Sequence, residues 1–293
     1  MSDASLRVPT YPLWHNCRRA WRFAKRHLTI LIGGTLLATL VAAALAAPLL
    51  TPFDPIALNV PHRLRPPDAT HWFGTDNYGR DVFARTVYGG RISLVVGISV
   101  ALLSGVVGTL IGLLAGMFRW LDPIAMRIMD GLMAIPSILL AVAMMTLWRP
   151  GLLSVIVAIT VPEVPRVVRL VRSVVLVIRE QPYVQAATSI GTRFPRLLLR
   201  HILPNALTPI VVQATHVCAS AVLLEAYLGF LGVGIPPEVP SWGNIMANGR
   251  TLVQIAIWVI LFPGAFLGIM VLSINMLGDG IRDLLDPRLA RRL

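Results

Sequence analysis

The amino-acid sequence predicts an all-α integral membrane protein with six transmembrane helices and a short helix standing outside the bilayer. Three observations carry this. Of the 293 residues 56% are hydrophobic and only 14% charged, with a positive mean hydropathy, far from the make-up of a soluble domain. Six stretches are apolar enough for a helix to cross a hydrocarbon core of roughly 30 Å, which takes about 20 residues because backbone groups in lipid must pair within their own segment. The cationic residues behind a formal net charge of +12 cluster at both ends and between particular stretches.

Taken in order, residues 1–27 are expected to be a cytoplasmic segment, held inside by Arg7, Arg18, Arg19, Arg22, Lys25 and Arg26. Trp14, Trp21 and Phe23 among these charges suit an interfacial helix or a plain basic anchor. The first span covers 28–50; its apolar run is too long for a cleavable signal peptide and runs on into a loop. That loop, 51–91, lies outside. Its arginines are partly offset by Asp54, Asp68, Asp76 and Asp81, and its length weakens the charge rule there.

Span two, 92–118, carries Gly105, Gly108, Gly112 and Gly116; the last three, spaced by four, lay a smooth stripe along one face for close helix packing. Spans three and four follow at 126–147 and 152–172, then an arginine-rich segment at 173–205. Spans five and six cover 206–232 and 253–278. The tail, 279–293, holds Arg282, Arg288, Arg291 and Arg292, so an even number of spans places both termini in the cytoplasm.

The composition excludes several functions. There is no G-x-x-x-x-G-K-[ST] phosphate loop, no H-E-x-x-H, no G-x-S-x-G elbow and no paired-cysteine metal site, so enzymatic catalysis is not expected. Cys17 and Cys218 lie in different environments and do not bridge. The positive charge serves topology and membrane lipid rather than nucleic acid, because no compact basic domain or aromatic platform accompanies it.

Two acids lie within spans. Glu163, between Pro162 and Pro165, is either a proton site or a carboxylate paired with an arginine such as Arg166 or with a partner subunit. Glu225 lies toward the outer end of span five, where it is expected to reach interfacial water or an external arginine. His216 reads as a hydrogen-bonded packing residue.

The segment QAATSIGTRFPRLLLRHILPN, 185–205, interrupts the apolar pattern. Pro182 suits a helix first turn and Gly191 a left-handed C-terminal cap, so a helix is expected over 182–190, with Tyr183, Ala186, Ala187 and Ile190 as one apolar stripe. Two turns cannot stand alone, so the stripe needs a groove in another molecule. A second helix, capped by Thr192, is expected to stop near Leu203 before Pro204, with Asn205 capping span five. The pair makes a stiff elbow.

At these residues the chain resembles the permease subunits of bacterial ABC importers. Gln185, Ala186, Ala187, Gly191, His201, Leu203 and Pro204 align with their EAA loop, although Gln185 replaces the usual acid and His201 takes a slot that is often isoleucine. HWFGTDNYGRDVFARTVYGGRIS at 71–93, containing Gly74, Thr75, Asp76, Gly79, Arg80 and Asp81, is similar to the G-T-D-x-x-G-R-D signature of dipeptide, oligopeptide and nickel permeases. EAYLGFLGVGIPPEVPSWGNIM at 225–246 is similar to their F-L-G-x-G…P-S-W-G segment. From the residues alone, the first motif reads as a structural lid, and Trp242 in the second as an interfacial anchor.

The resemblance implies an inner-membrane permease whose core is 92–278 and whose coupling helix lies within 173–205. It implies a second homologous permease, two ATPase subunits that bind ATP and magnesium, a periplasmic solute-binding protein and no cofactor in this chain. Import of di- or oligopeptides is expected. Nickel or another small solute remains open, as does a proton-coupled carrier using Glu163 and Glu225.

Overall fold

The computed structural model describes residues 28–285, and every described element of any length is helical. The expectations for Cys17, Trp14, Trp21 and Phe23, and for Arg288, Arg291 and Arg292, lie outside the described residues.

Helices α1 (Leu28–Leu45), α3 (Val82–Met117), a rod over Phe194–Leu231 and α11 (Trp258–Leu285) are each long and apolar enough to cross a membrane. A four-residue helix, α2 (Ala47–Leu50), follows α1. Helices α4 (Leu121–Met133) and α5 (Ser137–Leu147) would together make another span, but they meet at 86°, so the expected continuous span 126–147 is broken. Pro136 explains the break: it donates no backbone hydrogen bond and disfavours helix at the residue before it. Helix α6 (Leu152–Arg179) matches its neighbours in length but carries Glu163, Arg166, Arg169 and Arg172, so it is not apolar by composition. Four apolar helices, one bent pair and α6 are compatible with six spans.

The core lies where α3, α6 and the rod meet, with Val96, Val100, Ile159, Val171, Val217 and Leu228 almost wholly buried. Outward-facing Leu102, Val106, Leu110, Leu147 and Leu153 are more than half exposed, as lipid-facing side chains are. The glycine stripe does pack: a Cβ added at Gly112 would lie 2.7 Å from the Val171 Cβ and 2.9 Å from the Val168 carbonyl oxygen, and Gly108 and Gly116 meet Val167 and Val175 in the same way. Gly105 touches nothing and lies outside the contact. Gly112→Leu is accordingly expected to destabilise by about 3 kcal/mol or more through overpacking, read as lost folded protein in detergent; an unchanged melting temperature would refute the close contact.

Helix α3 begins ten residues before the expected 92, so the loop ends at residue 81. Its start is fixed by Asp81, whose carboxylate accepts from the Ala84 amide at 2.7 Å. The early turns hold Arg85, Tyr88 and Arg91, which hide a helix from a reading based on apolarity.

The expected stop before Pro204 is also absent. Helix α8 (Phe194–Leu197) passes through one π turn (Leu198–Ile202) into α9 (Leu203–Leu231), forming the continuous rod. Pro204 sits in the first turn of α9, where its missing N–H is tolerated. Asn205 does not cap; its Nδ2 donates to the His201 carbonyl at 2.6 Å, satisfying a group beside the proline. Thr192 does not cap either: α8 starts after Arg193 without a side-chain cap.

Candidate functional site

Helix α7 (Pro182–Ser189) is bounded as its sequence requires, with Pro182 in its first turn. At the other end Gly191 has φ +78°, its amide donates to the Thr188 carbonyl at 3.0 Å, and the Thr192 amide donates to the Ala187 carbonyl at 3.1 Å. These two bonds make a Schellman cap, a conformation that suits glycine. No atom lies within 4 Å of a Cβ added there, so the demand is conformational rather than steric.

The stripe expected on α7 is divided in the structure. Ala187, 7% exposed, points inward with Val184, and both join the core that contains Ile178, Leu197 and Ile202. Tyr183, Ala186 and Ile190 point outward, Ile190 at 84% exposure. A helix of eight residues has room for one seated face and one presented face, and the bulkier apolar side chains are on the presented one. Gln185 is exposed on the same side and its Nε2 donates to the Glu180 carbonyl at 3.3 Å. Arg179 at the base of α6 donates to the Gly116 carbonyl at 2.9 Å, and the Phe118 and Phe194 rings pack in a tilted pair with centroids 5.0 Å apart, so the elbow is tied to the end of α3. His201 and Leu203 lie half-buried in the rod, and Pro204 is exposed.

The 71–81 motif is a clasp. Asp76 receives the Arg80 Nε at 2.7 Å and the backbone amides of Tyr78 and Arg80 at 2.8 and 3.0 Å. Asp81, besides capping α3, pairs with the His71 Nδ1 at 2.8 Å. The Thr75 hydroxyl donates to the His62 carbonyl at 2.6 Å, and Trp258 reaches the Thr75 carbonyl from α11 at 3.2 Å. Thr75, Asp76, Arg80 and Asp81 are all buried, so they build the loop and are closed to a solute. Nearby, backbone amides of His71 and Thr70 hold the exposed Asp68 carboxyl below its usual range; its contribution to the loop is present above that range and lost as pH falls through the lowered value.

Gly74 and Gly79 sit at positive φ, and a Cβ at Gly79 would strike the Asn59 carbonyl. Gly79→Ala is expected to lower stability by about 1–3 kcal/mol, measured by thermal unfolding of the purified protein; no change would contradict the clasp.

The intramembrane acids are both hidden. Glu163 is fully buried, accepts from the Arg166 Nη1 at 2.9 and 3.2 Å, and receives the Ser220 hydroxyl from α9 at 2.9 Å. Of its two readings, the structure supplies the pairing with Arg166. Glu225 is 1% exposed and takes a 2.9 Å hydrogen bond from Ser93 of α3, where interfacial water or an external arginine had been expected. The reason is the segment after α9, which folds back as α10 (Trp242–Gly249) and covers it.

Trp242, expected at the interface, is buried for the same reason and donates to the Thr86 carbonyl at 2.8 Å. His216 is exposed and lines a cavity between α6, α9 and α11 instead of packing. Sequence reasoning missed Ser93, Ser220 and the buried Arg85, which donates to the Pro55 carbonyl at 3.0 Å. A small hydroxyl within a span was the only signal for the two serines, and Arg85 fell in the stretch read as loop.

A helical membrane core carrying a docked helix that presents apolar residues outward is the architecture in which the family match places a transport subunit. The model of the binding-protein-dependent transport system inner membrane component family matches residues 108–291, and that of the N-terminal transmembrane domain of oligopeptide transport permease C matches 16–67. The chain belongs to this binding-protein-dependent family of ABC importer permeases; it is a membrane transport subunit and not an enzyme, and the family works with ATPase and binding-protein partners.

Among its relatives is a probable peptide ABC transporter permease protein of Sinorhizobium fredii, 55% identical over 271 residues, or 92% of this chain and 93% of the relative. The dipeptide transport system permease of Alkalihalophilus pseudofirmus is 42% identical, covering 93% and 90%. The di/tripeptide transport system permease of Pseudomonas aeruginosa is 39% identical, covering 98% and 96%. In fold, a chain of the inward-facing MetNI methionine ABC transporter superposes with a TM-score of 0.59 at 24% identity, over 69% of this chain and 96% of that one.

Proposed function

We propose that this chain is the permease of a peptide importer, carrying di- or oligopeptides across the inner membrane with both of its termini in the cytoplasm. It pairs with a second, homologous permease, binds two ATPase subunits that hold ATP and magnesium, and receives cargo from a periplasmic binding protein. The observation that carries the reading is α7, rigidly capped and seated on Val184 and Ala187, with Tyr183, Ala186 and Ile190 turned outward as a surface for a motor subunit. Gln185 tethers to its own loop and offers that motor a neutral contact in place of a salt bridge. His201, Leu203 and Pro204 carry its movement into the rod, and the 74–81 clasp holds the opposite mouth.

Relatives named for peptides and dipeptides along nearly the whole chain support the cargo class. The test is uptake of labelled dialanine and trialanine into vesicles containing the complete importer. ATP-dependent uptake that requires the binding protein is expected. Uptake of nickel but of neither peptide would overturn the cargo, and peptide uptake driven by a pH gradient without ATP would overturn the mechanism.

A further inference from the structure

Between α6, α9 and the end of α11 lies a cavity of about 450 Å³, within the roughly 300–1,000 Å³ range of small-molecule sites. Thr208, Gln213, His216 and Arg282 supply its polar lining. It begins one turn from the buried ion pair on both helices: Leu170 in its wall is four residues past Arg166, and His216 is four before Ser220.

The Arg166 side chain is 44% exposed although its partner Glu163 is fully buried. Only its Nη1 takes part in hydrogen bonds among the described residues, with Glu163 and Ser220, so Nε and Nη2 keep their donors. An exposed guanidinium with unspent donors in the middle of a span is costly against hydrocarbon. This face is therefore turned away from hydrocarbon, and among the described residues the cavity continues it with neutral and cationic groups and no carboxylate.

We propose that Arg166, oriented by Glu163 and Ser220, is a carboxylate-binding point on the cargo route, and that a peptide lies from it into the cavity with its amides against Gln213, His216 and Thr208. The proposal rests on the peptide-import reading above and assigns that cargo a residue. A guanidinium suits a carboxylate because its planar donors match the two oxygens. The pair with Glu163 fixes the side chain without occupying that edge. A free divalent cation finds no acid among the described residues that line the cavity.

The test uses the complete importer in vesicles, with His216→Cys in a chain whose own cysteines are removed by Cys17→Ser and Cys218→Ser. Labelling by a membrane-impermeant methanethiosulfonate is followed with dialanine, trialanine or dialanine amide present. The free acids are expected to slow labelling about tenfold, the scale of one charge-assisted hydrogen bond, and the amide to leave it nearly unchanged. Glu163→Gln with Arg166→Gln keeps the buried pair neutral and hydrogen-bonded, so the doubly substituted chain is expected to insert; in it the free acids should no longer protect.

Protection by the free acids that survives the double substitution, or equal protection by the amide, would overturn the assignment while leaving peptide import intact. So would a cysteine that no reagent reaches from either side, which would place this face against lipid or another chain. If the unaltered importer takes up neither peptide, the import reading itself fails and takes the assignment with it.

Discussion

Ala186→Asp is expected to leave the chain inserted and folded while lowering ATP-driven uptake about tenfold or more, because a charge then stands on the apolar surface offered to the motor. Ala186 is exposed on α7, so the substitution costs the isolated chain little. Ala187→Asp one position along should act differently. Ala187 is 7% exposed within the core, and a carboxylate there should unseat the helix and reduce the yield of folded protein. The contrast is read by measuring uptake, ATP hydrolysis and yield for both variants in the reconstituted importer. ATP hydrolysis should continue without transport in the first; normal uptake by Ala186→Asp would remove α7 from the coupling path. Gly191→Pro belongs with the first group, since proline cannot adopt φ near +78° and the cap would open.

Arg166→Ala is the second large effect. It leaves the fully buried Glu163 with only the Ser220 hydroxyl; breaking one side of a fully buried pair costs about 3–5 kcal/mol, and the 44% exposure of Arg166 puts this loss at the low end of that range or below it. Glu163→Gln in the same chain should recover much of that loss, because the stranded charge is gone. Thermal unfolding of the purified variants decides it: a single variant as stable as the parent would mean that the pair does not hold α6 to α9.

The helical class was legible because the cost of unpaired backbone in lipid writes long apolar runs into any membrane chain. Local punctuation was legible too: Pro182 and Gly191 bound α7 in the sequence as they do in space. Its seated face was not, because Val184 and Tyr183 are adjacent apolar residues and only the surroundings decide which turns inward.

Pro204 was read as a stop because a proline forbids one hydrogen bond, but that bond is dispensable in the first turn of α9, and the Asn205 side chain bonds the His201 carbonyl in the same turn instead of capping a new helix. Helix α3 was read short because Arg85 and Arg91 look like loop residues; Arg85 donates through Nη1 to the Pro55 carbonyl, and Arg91 donates to those of Ala44 and Leu45. Glu225 and Ser93 are 132 residues apart, a pairing that no local pattern contains. In the outer motif the glycines and acids were identified as loop-shaping, and their partners His71, His62 and Trp258 appeared only in the fold.

The unbroken rod has a mechanical consequence. Its 38 residues from Phe194 to Leu231 extend about 57 Å at the helical rise per residue. A hinge at Pro204 would absorb a push applied at the inner end; a stiff rod delivers it to the far end as tilt or axial twist. Its compliant places lie near the inner end: the π turn, where the extra residue loosens the winding and lets the inner stub rotate without snapping the shaft, and Pro209, which removes one backbone hydrogen bond. A stroke at α7 should then be felt at Glu225 and Ser93, near the opposite mouth, in the same movement.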